Sequence, residues 1–286
     1  MSFHEMNRGH KKASHPPLPR LGPSSKIDCF RTECQVTKEK IVALKEFVAR
    51  QRKLSRKGKP AMTNACKDQS EKQLIALERM MRGWPGEPLD RRGIVRILNA
   101  TGSKPPIFWI FNVRHEPENF ANALGPDQPL IYGRSLHLIL GPDEDRDSAL
   151  IGLANYFLRW LAPRMTVTRH FLGANCQGAR CLLMLTQRLM AKDIRVSGVC
   201  LISALPDIEV GVPALLIYGS RDPHHDPFFH DAVSAQKQAS RCFATVRRQL
   251  VDAEHGQYGR VETVETVVAR VQDFLASLNA RAAFSA

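Results

Sequence analysis

A tight turn centred on Cys176 constrains the fold of this chain more than any other feature. The segment Val167-Thr-Arg-His-Phe-Leu-Gly-Ala-Asn175 approaches the turn with the pattern of a strand, and a helix-like run begins at Gly178. Ala174 and Gly178 stand two residues before and after the cysteine, and such small residues let a backbone pass close to itself. The pattern predicts a strand, a strained turn with a thiol at its tip, and a helix.

Two later segments supply partners for this thiol. Asp222 follows an apolar, strand-like run, and His255 follows another one. Nucleophile, acid and histidine is the chain order of catalytic triads in α/β-hydrolases. We therefore predict that His255 takes the proton of Cys176 and that Asp222 fixes the imidazole tautomer. The alternatives are a buried structural thiol, a turn aspartate and a histidine in a surface loop.

Strand-like and helix-like segments alternate through the C-terminal two thirds of the chain. Helices of ten or more residues between strands favour a parallel, doubly wound sheet. We predict an α/β fold of α/β-hydrolase type over residues 93–286. The predicted strands are 94–98, 107–111, 130–133, 196–203, 214–218 and 246–251, and the predicted helices are 119–124, 147–161, 178–190 and 261–278.

The N-terminal third differs from this body in composition. Residues 1–36 are rich in Pro, Ser and His, which predicts a disordered tail. Residues 37–92 predict a basic helical or linker segment, with one helix over 36–52 and a second over 73–81.

The charge of the chain is as uneven as its composition. Residues 1–104 hold 23 of the 41 Lys and Arg residues and 10 of the 28 Asp and Glu residues, so the net charge of +13 belongs to them and the rest is neutral. The densest basic run, residues 50–59, contains no aromatic residue and matches no nucleic-acid module, so we interpret it as a solvated linker.

The cysteines and the apolar runs bear on the compartment. None of the cysteines forms a C-x-x-C pair, and several lie in apolar runs, where a free thiol behaves as a small hydrophobe. No run approaches the 18 or more apolar residues of a membrane span, and no secretory signal is visible. We expect a cytoplasmic protein without a membrane span. The seven cysteines are Cys29, Cys34, Cys66, Cys176, Cys181, Cys200 and Cys242.

Three motifs together carry a family resemblance. Pro105-Pro-Ile-Phe-Trp-Ile-Phe111, Leu124-Gly-Pro-Asp-Gln-Pro-Leu-Ile-Tyr132 and the turn Gly173-Ala-Asn-Cys-Gln-Gly178 resemble the thioesterase domains of nonribosomal peptide and polyketide synthases and their free-standing relatives. The resemblance spans roughly residues 93–278. It implies an α/β-hydrolase fold, no cofactor, and acyl transfer from a pantetheine-linked thioester delivered by a carrier protein.

The first departures from the family concern the nucleophile and the oxyanion hole. Cysteine replaces the usual serine; a thiolate is the stronger nucleophile, and an adjacent histidine lowers the pKa of a thiol. The family's His-Gly is here Phe111-Asn112. By position, the backbone N–H groups of Val113 and Gln177 are the expected oxyanion donors.

Two further departures concern the acid and the lid. Many of these thioesterases carry the acid after the strand that follows the nucleophile, where this chain has Leu201-Ile-Ser-Ala204, so Asp222 on the next strand takes the role. The lid is reduced to about ten residues, 205–213. A small lid leaves room for a large or carrier-bound acyl group.

Other polar residues are assigned no role. The run Asp222-Pro-His-His-Asp226 raises a metal hypothesis, but consecutive turn residues seldom converge on one ion, so we expect no metal. His115 is interpreted as incidental.

Three functions remain open. The first is an acyl-thioester hydrolase or acyltransferase in secondary-metabolite or lipid biosynthesis, working through an acyl-cysteine. The second is a degenerate hydrolase fold that binds a ligand or partner without turnover. The third is an anchoring or nucleic-acid role of the basic N-terminal third, which predicts a steep salt dependence.

Overall fold

The computed structural model describes residues 64–141, 143–165 and 170–283, with side chains over most of residues 70–280. The tail expected at 1–36, the helix expected at 36–52 and the basic run 50–59 lie outside the described residues.

An eight-stranded sheet organises the described chain, in the spatial order β1-β2-β4-β3-β5-β6-β7-β8. The strands β3 to β8 pair in parallel, while β1 and β2 add an antiparallel edge. The α/β, doubly wound, mostly parallel sheet expected from the sequence is therefore confirmed. The strands are β1 Glu87–Pro88, β2 Arg96–Leu98, β3 Ile107–Phe111, β4 Leu130–Arg134, β5 His170–Asn175, β6 Val196–Ile202, β7 Ala214–Gly219 and β8 Val246–Val251.

Helices cover both faces of this sheet. In β3, Phe108 contacts Phe157 edge-on at a ring-centroid distance of 5.3 Å, and Trp109 contacts Phe120 at 4.4 Å. Phe157 belongs to the helix Arg146–Leu161 and Phe120 to the helix Glu116–Leu124. Because successive strand side chains point to opposite faces, these two helices cover different faces of the sheet. The helices are α1 Asn64–Met80, α2 Glu116–Leu124, α3 Arg146–Leu161, α4 Ala179–Met190, α5 Pro227–His230, α6 Ala232–Cys242 and α7 Val261–Ala283.

The packed core extends upstream of residue 93, where we expected the hydrolase domain to begin. Leu77 on α1, with Met81 and Trp84 after it, is buried in the same apolar core as the sheet. Asp90 accepts hydrogen bonds from the N–H groups of Ile94 and Val95 and from the hydroxyl of Tyr156 on α3. These contacts join residues 77–95 to the body.

The indole of Trp109 packs closely against Gly173 in β5, the strand that precedes Cys176. An added Cβ on Gly173 of β5 would lie 2.2 Å from ring atoms of Trp109 on β3. All residues of β3 and β5 are buried, as in a central strand covered on both faces. Glycine at this position therefore leaves room for the indole beside the strand that leads to Cys176.

Two regions between the late strands complete the fold. Residues 205–213 contain neither helix nor strand, in keeping with the reduced lid. The helices α5 and α6 between β7 and β8 were not predicted. No helix among the described residues is long and apolar enough to cross a membrane.

Candidate active site

The turn at Cys176 has the strained geometry that the sequence predicts. Cys176 follows β5 directly, has a φ of 25°, and begins a single 3-10 turn that leads into α4. Positive φ is unfavourable for a residue with a side chain and is found where surrounding structure enforces it. A Cβ on Gly178 would lie 2.6 Å from Cγ2 of Ile110, so glycine is needed two residues later.

The structure brings the three predicted triad residues together at the carboxyl edge of the sheet. Cys176 Sγ lies 3.7 Å from Nε2 of His255. Nδ1 of the same imidazole lies 3.0 Å from a carboxylate oxygen of Asp222. Asp222 follows β7 and is only 7% exposed. An Nδ1–H donated to Asp222 leaves the Nε2 lone pair facing the thiol, which is the tautomer that a general base needs.

The carboxylate of Asp222 serves a second imidazole as well. Its other oxygen lies 2.7 Å from Nδ1 of His225, and the rings of His225 and His255 stack with centroids 3.8 Å apart and planes inclined by 21°. One buried carboxylate thus holds two parallel imidazoles. Of these, only His255 faces the thiol.

Ser203 gives His255 an alternative hydrogen-bond partner. It follows β6, has a φ of 52°, and its Oγ lies 3.2 Å from Nδ1 of His255. Ser203 thus occupies the strand end where, by the family resemblance, a triad acid could have been expected. Here a hydroxyl and Asp222 flank the same imidazole nitrogen.

The surroundings of Cys176 raise the pKa of its thiol, contrary to the expectation that the adjacent histidine lowers it. Burial raises the pKa of Cys176 above its ordinary value, and the nearby carboxylates of Glu116 and Asp222 raise it further. Hydrogen bonds from Gln177 act in the opposite direction, with a smaller effect. A thiol with a raised pKa needs a base as its sulfur attacks, and Nε2 of His255 is the group in contact with it.

The expected oxyanion donor Val113 already has an acceptor. The backbone N–H groups of Asn112 and Val113 donate to the same carboxylate oxygen of Glu116, at 2.8 and 3.0 Å. The other oxygen of Glu116 accepts from Nδ2 of Asn175 at 2.9 Å. The carboxylate of Glu116 therefore holds the start of residues 112–115, which we call the oxyanion loop after the role expected of Val113.

An open cleft of about 290 Å³ lies beside Cys176 and Gln177. Leu136, Leu140, Leu150 and Leu205 give it an apolar wall, while His137, Arg146 and Arg180 add polar groups. Arg180 is paired with Asp147 at 3.0 Å. The cleft therefore opens directly beside the sulfur, with both apolar and polar groups in its wall.

The five-residue run considered for a metal does not converge on one point. Asp226 forms an ion pair with Arg248 on β8 and accepts from the N–H of Phe228, and His224 faces His230. Ligand atoms of Asp222, His225 and His255 do lie within 4.8 Å of one another, but hydrogen bonds account for this cluster.

Three residues of the site were missed by sequence reasoning. Glu116 and His225 lie outside the predicted elements, and Ser203 is the last residue of the predicted strand 196–203; the partners of all three are fixed only by tertiary packing. Glu116 had one sequence signal, since it stands beside Pro117 in the first turn of a helix, where acids commonly accept backbone N–H groups. His115 is exposed, and its carbonyl accepts the N–H of Asn119.

Comparison with known proteins supports the fold. No protein-family model matches the chain, and no curated protein matches it. The chain is similar to the NocB thioesterase domain from the nocardicin cluster, alone and in covalent complex with a fluorophosphonate nocardicin G analog. In both cases the TM-score is 0.50 at 14% identity, over 64% of this chain and 99% of that one.

A weaker similarity links the chain to YbtT, a type II thioesterase from the yersiniabactin NRPS/PKS biosynthetic pathway. The TM-score is 0.46 at 13% identity, over 68% of this chain and 97% of that one. At 14% identity, the similarity to the NocB domain shows only that the two proteins share a fold. The chain has an α/β-hydrolase fold, and the resemblance to thioesterase domains expected from its sequence is confirmed at that level.

Proposed function

We propose that this protein is a thioesterase-like acyl-thioester hydrolase or acyltransferase that works through an acyl group on Cys176. The observation that carries the proposal is the alignment of Cys176, His255 and Asp222 at the strained turn after β5, with contacts of 3.7 and 3.0 Å. Secondary-metabolite or lipid biosynthesis is the setting that such chemistry fits.

The first half-reaction uses the three side chains in turn. Nε2 of His255 takes the thiol proton while sulfur forms a bond to the thioester carbonyl carbon, whose oxygen becomes an oxyanion. The N–H of Gln177, directly behind the nucleophile, is the expected first donor to that oxygen. The intermediate then expels the departing thiolate, which receives the proton from His255.

The second half-reaction transfers the acyl group from Cys176 to an acceptor. His255 takes a proton from water, an amine or an alcohol, and the attacking atom replaces sulfur at the acyl carbon. An acyl-cysteine is itself a thioester, so the first step replaces one thioester by another and its free-energy change is small. The intermediate therefore stays reactive. The open cleft, with no helical lid over residues 205–213, accommodates an acyl group presented by a carrier protein.

Intact-mass spectrometry of the full chain tests this proposal. The protein is incubated with N-acetylcysteamine thioesters of short and medium acyl chains and quenched in acid, and the adduct is mapped by peptide digestion. We expect one acyl group on Cys176, absent from Cys176→Ala and, in Cys176→Ser, formed much more slowly as an oxygen ester.

Mapping is needed because the chain has six other cysteines. Among the described ones, Cys181, Cys200 and Cys242 are buried, and burial raises their pKa. Adducts spread over several cysteines, or retained in Cys176→Ala, would count against the mechanism. The absence of any adduct in the folded protein would reject it.

A second candidate function, ligand binding without turnover, is favoured by two observations. The N–H of Val113 is engaged by Glu116, and the pKa of Cys176 is raised. In this case a non-hydrolysable acyl thioether analogue binds the protein, measured by calorimetry, while no thioester yields a covalent adduct or a released acid.

A further inference from the structure

The carboxylate of Glu116 occupies the donor, the N–H of Val113, that the proposed reaction would use for the substrate oxyanion. Glu116 is 5% exposed, and its side chain packs against Gly259, where an added Cβ would lie 2.6 Å from Glu116 Cγ. It accepts from Asn112, Val113 and Asn175. Three donors satisfy this buried charge, so the contact is a built feature of the site.

Helix capping accounts for only part of this arrangement. A glutamate at the start of a helix often accepts from the backbone N–H three residues earlier, as Glu116 does from Val113. Its second oxygen accepts from Asn175, the residue immediately before Cys176, and capping does not explain that contact. The carboxylate therefore links the two backbone segments between which a substrate carbonyl would have to lie.

A substrate oxyanion and the Glu116 carboxylate would compete for one donor. The N–H of Val113 points to Glu116 at 3.0 Å, so it cannot stabilise a developing charge until that contact is broken. The same negative charge is one cause of the raised pKa of Cys176. Glu116 thus opposes formation of the acyl-enzyme in two ways. It occupies the N–H of Val113, and its negative charge disfavours the thiolate of Cys176.

We propose that Glu116 is a positioning residue that holds the oxyanion loop closed and restrains the reactivity of Cys176, so that turnover requires its displacement from Val113. This inference rests on the proposed function for its oxyanion step. Its effect on the thiol does not, because alkylation of a cysteine needs no oxyanion hole.

Two conservative variants separate the effect of the Glu116 charge from the effect of its contact with the N–H of Val113. Glu116→Gln removes the charge but keeps a carbonyl oxygen that can accept from Val113. Glu116→Asp keeps the charge but withdraws the carboxylate by about 1.5 Å, the length of one C–C bond. Glu118→Gln is the matched control, since it makes the same charge change two residues along α2 at an exposed position.

Alkylation by iodoacetamide, followed by peptide mapping of Cys176 across pH, measures the charge effect. We expect Glu116→Gln to react at least about threefold faster than Glu118→Gln below the thiol pKa, with an inflexion at lower pH, because a like charge beside the thiolate is gone. Glu116→Asp should react at nearly the rate of the unmodified protein. Thermal melting establishes that each variant is folded.

Acylation by an octanoyl N-acetylcysteamine thioester measures the effect of the contact with Val113. We expect Glu116→Asp to be acylated at least about threefold faster than the unmodified protein, although its alkylation is unchanged, because Val113 gains a free N–H. A residue that merely supports the loop gives the opposite result, with slower acylation in both variants. That result, or alkylation of Glu116→Gln at the control rate, overturns the proposal.

The two hypotheses fail in different ways. If no protein in the series is acylated, the proposed function fails, and the alkylation rates alone decide whether Glu116 restrains Cys176. If the unmodified protein is acylated but neither variant differs from Glu118→Gln, the function stands and the inference about Glu116 is wrong.

Discussion

Replacing Asp222 with asparagine tests the triad sharply, because this carboxylate serves two imidazoles. One oxygen lies 3.0 Å from Nδ1 of His255 and the other 2.7 Å from Nδ1 of His225. An asparagine has one carbonyl oxygen and one NH₂ group, so only one of the rings keeps an acceptor. The ring that faces the NH₂ group must present its Nδ1 lone pair and carry its proton on Nε2.

The structure sets the expected magnitude. The shorter contact to His225 favours the carbonyl oxygen on that side, which turns the NH₂ group toward His255 and protonates the nitrogen that should accept from Cys176. A triad histidine in the wrong tautomer loses about 10⁴ in rate. Ser203 Oγ, 3.2 Å from the same Nδ1, offers a substitute acceptor. We expect Asp222→Asn to slow acylation between about 10²-fold and about 10⁴-fold.

Single-turnover acylation, followed by loss of the thioester absorbance in the ultraviolet, measures this effect. Asp252→Asn is the control, since Asp252 is an exposed aspartate after β8 that pairs with Arg221. Adding His225→Ala to Asp222→Asn frees the asparagine carbonyl to face His255 and should recover about tenfold of the loss. A slowing of less than about threefold in Asp222→Asn would refute the triad assignment.

Three further predictions concern the scaffold and the thiol. Leu77→Ala should cost about 2–5 kcal/mol of unfolding free energy in denaturant titrations, whereas the exposed neighbour Ile75→Ala should cost less than about 0.5 kcal/mol. Gly173→Ala should destabilise by about 1–3 kcal/mol, measured in the same way, because its methyl group would overlap Trp109. Alkylation of Cys176 should rise with pH through an inflexion above that of an ordinary thiol, because burial and two carboxylates disfavour the thiolate; an inflexion below it would contradict this assignment.

The sequence predicted the central strands well, because their pattern depends on burial alone. Ile107–Phe111 matches the structure at both ends, and the buried strand Ala214–Gly219 runs one residue past its predicted end. The partly exposed edge strand Val246–Val251 also matches at both ends. The helix Ala232–Cys242 was missed, since its buried positions are the small residues Ala235, Ala239 and Cys242, which give little hydrophobic periodicity. Continuous apolar runs reveal strands, whereas a polar helix that buries only small side chains leaves a weak pattern.

The site could be predicted only in part, for a related reason. Chain order and strand ends placed Cys176, Asp222 and His255 at one edge of the sheet, and the structure brings them into contact. The engagement of Val113 by Glu116 depends on a side-chain rotamer and on the space beside Gly259. Neither the rotamer nor this space can be read from residue spacing or hydrophobic periodicity, so the sequence could not predict that Val113 is engaged.

The hydrogen bonds around Asn175 give the protein an optical reporter. The indole N–H of Trp109 donates to Oδ1 of Asn175 at 2.9 Å, and Nδ2 of that amide donates to Glu116. Trp109 is fully buried and is one of only three tryptophans in the chain. Indole emission responds to the hydrogen bonding and polarity around the ring, so departure of the Glu116 carboxylate would be transmitted through one amide to a natural fluorophore. Stopped-flow fluorescence of the unlabelled protein can therefore time events at the oxyanion loop.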